Sequence, residues 1–173
     1  MKRLQYALVA LVVFGLLGGL GVYALHADPV PDEMSVDHRY VPGDVLTESA
    51  TADLSALGPG ASRHLHLTER SAARQSVDGP VATAFVDGTD FSTSSIVVVQ
   101  IEGSSTPQLR FESLRRTPDG IRLDVALTTW EPRTDDRAVH TLLVRITDHE
   151  RGAIESVDVR VSGQSLQPTI PFF

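Results

Sequence analysis

Three hydrophobic patterns follow one another along the chain. From Tyr6 to Leu25 the sequence YALVALVVFGLLGGLGVYAL runs without a charge, directly behind Lys2 and Arg3. A hydrocarbon core of about 30 Å is crossed by about 20 helical residues, so this stretch predicts a single N-terminal transmembrane helix. Residues 26–62 show no sustained period. Asp28-Pro29-Val30-Pro31-Asp32-Glu33 reads as an extended tether, with a weak first strand around Asp44–Glu48 and a loop at Gly58-Pro59-Gly60. From residue 63 the pattern becomes the period of two that a half-buried strand requires.

His64-Leu65-His66-Leu67 alternates and predicts a short strand. Thr68 then stands as N-cap of one short helix over Glu69–Gln75. Val81–Val86 reads as a strand closed by Asp87-Gly88. Ile96–Ile101 is a continuous β-branched run, which predicts a central strand covered on both faces. Leu109–Phe111 alternates up to the turn Thr117-Pro118-Asp119-Gly120. Beyond it Ile121, Leu123, Val125 and Leu127 share one face. Leu142, Val144 and Ile146 form another such face, as do Val157, Val159 and Val161. Pro168 and Pro171 keep the apolar tail 163–173 out of a regular strand interior, leaving it to pack along an open sheet edge. The fold class expected is mainly β: a small antiparallel β-sandwich or half-open barrel over 63–162, with one short helix.

Charge gives this plan a direction. The basic residues of the start, 1–5, precede the apolar segment, so the positive-inside rule keeps the N-terminus cytoplasmic and sends 28–173 outward. Leu25-His26-Ala27 is a poor cleavage site and the apolar core is long. Both favour a retained anchor at the cell membrane over the alternative, secretion after cleavage. The chain has no cysteine to carry a lipid or a disulfide, and Lys2-Arg3 is not a twin arginine. Gly15 and Gly19 form a G-x-x-x-G, a face through which a weak helix-mediated dimer can form. Between the anchor residues Tyr6 and Leu25, the lipid bilayer is the first partner implied.

Arginine supplies 14 of the 15 basic residues, and from Asp28 onward 13 arginines face 22 acids, a net of −9. An acidic surface almost free of lysine resembles proteins of salt-loving organisms, where about 1 M salt shortens the Debye length to about 3 Å. No basic patch is available to neutralise phosphates, so nucleic acid is not an expected partner.

Candidate chemistry is sparse. His64 and His66, two apart on a strand, point to one side and are the best metal-ligating pair. His38, His140 and His149 are possible further ligands without a supporting spacing. Asp87 with Asp90, and Asp135 with Asp136, are acidic pairs in loops without an EF-hand spacing. Ser92-Thr93-Ser94-Ser95 is a polar loop with no nucleophile elbow around it. Gly103-Ser104-Ser105-Thr106 lacks the Gly-Lys of a phosphate cradle, and Trp130 suits an edge or core anchor. No catalytic residue, cofactor or required metal is expected.

The order of these segments carries a resemblance. Asp90-Phe91-Ser92, Ile96–Val99, Gly103, Thr106, the hairpin Thr117–Leu123 and Leu142–Ile146 together resemble the PrcB-type C-terminal domain of protease-complex proteins. That family comprises small β domains of exported and lipid-anchored proteins, and the likeness spans about residues 64–162. Pro107-Gln108-Leu109 stands where the family has paired glycines and an aromatic. The resemblance implies a non-catalytic partner in a protein complex and transfers no catalytic residue. The leading expectation is a non-enzymatic, membrane-anchored extracytoplasmic domain that binds another exported protein or envelope component. The alternative is a metal- or small-ligand-binding module around His64 and His66, followed by a cryptic hydrolase.

Overall fold

The strand Ser94–Ser104 (β3) is the element on which both halves of the core rest. Its β-branched side chains alternate between two apolar compartments: Val97, Val99 and Ile101 enter one, Ile96 and Val98 the other, all almost fully buried. That is the double coverage predicted from its unbroken apolar run. The computed structural model describes residues 30–52, 54, 58, 61–104, 108–128, 136–150, 152 and 154–162. The segment 6–25 with Tyr6, Gly15, Gly19 and Leu25, together with Trp130, Asp135 and the tail 163–173, lies outside these. Among the described residues no helix is long and apolar enough to cross a membrane.

Nine further elements accompany β3 among the described residues. In chain order they are β1 (Met34–Pro42), α1 (Glu48–Thr51), β2 (Ser62–Leu67), α2 (Arg70–Ser76), α3 (Pro80–Asp87), β4 (Gln108–Thr117), β5 (Gly120–Thr128), β6 (Arg137–Asp148) and β7 (Val157–Ser162). The strands form two sheets, of order β1-β6-β3-β2 and β4-β5-β7. The domain is mainly β, and its two sheets face each other as a small sandwich. Between them lie Val97, Val99, Leu142, Val144 and Ile146 from one sheet and Leu114, Ile121, Leu123 and Val125 from the other. The faces predicted for β5, β6 and β7 are the ones that point inward.

Five expectations are corrected. Residues 34–42, placed in the tether, form the nine-residue edge strand β1, antiparallel to β6 from Met34↔Asp148 to Pro42↔His140. Its inward residues Val36, His38 and Tyr40 are only partly apolar, so periodicity alone does not mark it. The stretch 44–48 is not a strand: Leu46 makes an isolated bridge to Val77, and a single helical turn follows, with Thr47 Oγ1 accepting from the Ala50 N–H.

Val81–Val86 is helical rather than extended. Gly79 takes φ +87°, Pro80 sits at the helix start where its fixed φ costs nothing, and Ala82 and Val86, four apart, bury against the sheet. The other short helix begins at Arg70, with Glu69 rather than Thr68 at its N-cap and no side-chain cap bond. Lastly, the sandwich is not wholly antiparallel. The 149–156 connection carries the chain from one sheet to the other, so β7 lands parallel to β5, Ile121↔Val157 through Ala126↔Ser162.

The helices make a third layer on the outer face of the four-stranded sheet. Ala73, Val77, Ala82 and Val86 cover Ile96, Val98 and Leu143. Arg70 Nη1 donates to Asp87 O (3.0 Å) and Arg74 pairs with Asp87 (2.8 Å), tying α2 to α3. At the end of β3 where this cover stops, buried Gln100 donates to Asp44 Oδ1 (2.8 Å) and Thr141 Oγ1 (3.0 Å) and accepts from Arg63 Nε (2.8 Å). Each polar group of that side chain is thus partnered, as burial demands.

Candidate functional site

Histidines 64 and 66 share the inner face of β2, as their spacing predicts, while Leu65 and Leu67 turn to the helical layer. His64 is exposed and His66 partly buried, and the buried His66 Nε2 makes no hydrogen bond among the described residues. Burial, then the neighbouring His64, holds the His66 ring below its ordinary pKa. No group of three potential ligands occurs among the described residues, so the structure does not bring a third side chain to this pair there. The other histidines are engaged elsewhere. Tyr40 Oη lies 2.7 Å from His140 Nδ1, His38 stacks on Phe111 at 5.6 Å, and His149 Nε2 lies 3.2 Å from Ser35 Oγ.

Asp87 and Asp90 have local duties. Asp87 holds Arg74, and Asp90 accepts from both the hydroxyl (2.7 Å) and the N–H (3.0 Å) of Ser92, bonds that lower its pKa. Ser94 Oγ lies 2.8 Å from Thr147 Oγ1, and Ser95 is fully buried. The Ser92 hydroxyl is thus tied into a local turn by Asp90, while Ser94 meets another hydroxyl.

Two concavities stand out among the described residues. One, of about 330 Å³, lies at the β4–β5 hairpin beside Ile154–Ser156. Arg116 crosses it, donating to Asp148 Oδ2 (2.8 Å) and Glu33 Oε1 (3.1 Å), and both bonds hold its pKa above the ordinary arginine value. Asp148 is almost completely buried, so this arginine supplies the charge that a buried carboxylate needs. The feature closes the end of the sandwich around groups that already satisfy one another.

The second is an open groove of about 500 Å³ on the helical side. Its wall is α3, through Pro80, Val81, Ala84 and Phe85. Its floor is the outer face of β1 and β6, through Asp37, Arg39 and Arg145. The groove exists because α2 and α3 cover β2, β3 and part of β6 but stop short of β1. Arg145 joins floor to wall: its guanidinium lies over the Phe85 ring at 5.1 Å, donates to Gly88 O (2.8 Å) and pairs with Asp37. Arg39 has no ion-pair partner among the described residues. Val81 is their only exposed large apolar side chain, at 43%. The groove thus sets the exposed Val81 and the Phe85 ring beside Asp37, Arg39 and Arg145, next to a strand with an open edge. Sequence reasoning misses it because its two elements, β1 and α3, carry no decisive period; Gly79-Pro80 is the signal that could have found α3.

No protein-family model, no curated protein and no solved structure matches this chain.

Proposed function

We propose that this chain is a non-enzymatic, membrane-anchored extracytoplasmic β domain whose task is to bind another exported protein. The apolar segment 6–25 supports the anchor, and Lys2 and Arg3 directly before it favour an outward domain. The observation that carries the binding role is the groove between α3 and β1, where Val81 stands exposed beside Phe85 and Arg39 lacks an ion-pair partner among the described residues. The reactive-looking side chains support the same reading, because Asp87, Asp90, His38 and His140 are each occupied in holding the fold. The resemblance to PrcB-type domains implies a role of the same kind.

The test uses the full chain in intact membranes, with a photo-crosslinking residue at position 81 and, as a control, at position 112 on β4. A discrete adduct from 81 and none from 112 is expected. Equal, diffuse labelling from both positions refutes the binding surface. In the same preparation Leu16→Arg places a charge in the middle of the apolar segment and should release the chain from the membrane pellet; full retention refutes the anchor.

A further inference from the structure

The open edge of β1 has an unusual property: it is complementary to itself. Glu33 O accepts from His149 N (3.0 Å) and Gly43 N donates to Val139 O (2.8 Å). These bonds bracket the β1–β6 ladder, so the odd-numbered residues between them turn their N–H and C=O groups toward β6. Val36, His38 and Tyr40 therefore turn theirs to the free edge, where no backbone partner occurs among the described residues. The edge is bounded at both ends, since Met34 N–H is used by Pro31 O (2.9 Å) and Pro42 has no N–H.

We infer that a second copy of this chain pairs with β1 across this edge, antiparallel, about a two-fold axis through His38. This rests on the reading of the β1–α3 surface as a protein-binding site and names its occupant. Antiparallel neighbours keep the same face up, so the helix-side residues of one copy must oppose helix-side residues of the other. With the axis at His38, Asp37 of each copy lies opposite Arg39 of the other, and Val36 lies opposite Tyr40. A slip by two residues sets Asp37 against Asp37, or Arg39 against Arg39, which like-charge repulsion disfavours. A slip by one puts helix-side residues against inward ones. Charge and pleat together thus select a single register.

The geometry is favourable in detail. Val36, His38 and Tyr40 become the hydrogen-bonded positions, giving about six backbone bonds across the edge. Asp37 and Arg39 become non-hydrogen-bonded positions, where opposed side chains approach most closely. Arg39 then completes a ladder in which Asp37 is held between Arg145 of its own strand neighbour and Arg39 of the second copy. The product is a continuous eight-stranded sheet. The two α3 helices flank the axis on one side and bring the exposed Val81 side chains toward each other. Isologous pairing of this kind closes on itself and leaves no further copy of the edge to propagate.

Because the chain has no native cysteine, a single introduced thiol reports the contact cleanly. In the full chain, in membranes and at about 0.1 M salt so that surface charge is felt, His38→Cys places two thiols on the axis. Opposed Cα atoms there are about 5.5 Å apart, within disulfide range. Oxidation should convert His38→Cys to a covalent dimer and leave His64→Cys monomeric.

In the His38→Cys background, Arg39→Glu alone and Asp37→Lys alone should each lower the dimer yield at least tenfold, because each sets like charges opposite one another. Mixing the two variants should restore it, since both cross-strand pairs become opposite in sign. A dimer indifferent to these charges, such as one made through Gly15 and Gly19, overturns the inference. A monomer throughout overturns it as well. A discrete adduct at position 81 with a different protein overturns the second-copy assignment while leaving the binding-surface reading intact; no adduct at all removes both.

Discussion

Glycine 120 shows how one residue fixes the hairpin end of the sandwich. Its φ of +143° and its approach to Ser156 exclude a side chain: an added Cβ would lie 2.6 Å from the Ser156 carbonyl oxygen. The turn Thr117-Pro118-Asp119-Gly120 was legible in sequence for its local reason, glycine's freedom at positive φ, while the crowding against Ser156 depends on the 149–156 crossover. Histidine 66 shows the converse, a residue singled out for metal ligation whose observed character is a half-buried ring. The fold holds it below its ordinary pKa of 6.5, chiefly by burial. The unfolded chain therefore binds the proton first as pH falls, and stability declines from about pH 6.5 downward toward the depressed folded value. Thermal unfolding at about pH 7.5 and about pH 5.5 should show a fall for the native chain that is reduced in His66→Leu. An equal fall in both would place the acid sensitivity elsewhere.

At the scale of elements, β5, β6 and β7 are readable because each repeats one inward face, and β3 because its apolar run is unbroken and buried on both sides. β1 and α3 are not. β1 is an edge strand carrying Asp37, His38 and Arg39 at its centre, so neither face reads as apolar. The Val81–Val86 run fits strand and helix alike on composition, and the choice was made by Gly79-Pro80 and by the sheet face waiting for Ala82 and Val86. That helical layer should be energetically integral. Leu143, fully buried, is the β6 side chain in the apolar cluster beneath it, and Leu143→Ala should cost about 3 kcal/mol in chemical unfolding. A cost below about 1 kcal/mol would mean that the helices add little to the domain.

The whole molecule is an acidic body, with a net of −9 from Asp28 onward, and its surface pairs are mostly arginine with aspartate. Exposed pairs of this kind contribute little, whereas repulsion across the surface is long-ranged and screened by salt. Raising salt from about 0.1 M to about 2 M should therefore stabilise the chain by about 1 kcal/mol, or about 3 °C in thermal midpoint; a falling midpoint would show that the pairs outweigh the repulsion. If two copies join through β1 and both anchors enter one bilayer in the same sense, the two-fold axis must run along the membrane normal. The eight-stranded sheet then lies flat over the surface. By itself the sequence determined the strand faces, the central place of β3, the turns and the charge of the surface, because each is set by residues adjacent in the chain. Only the tertiary structure decided that 34–42 closes one sheet, that 80–87 coils rather than extends, that β7 runs parallel to β5, and that α3 ends short of β1. Those outcomes depend on which surface each segment finds to bury itself against, and that surface is built by residues as much as a hundred positions away, as Tyr40 and His140 show.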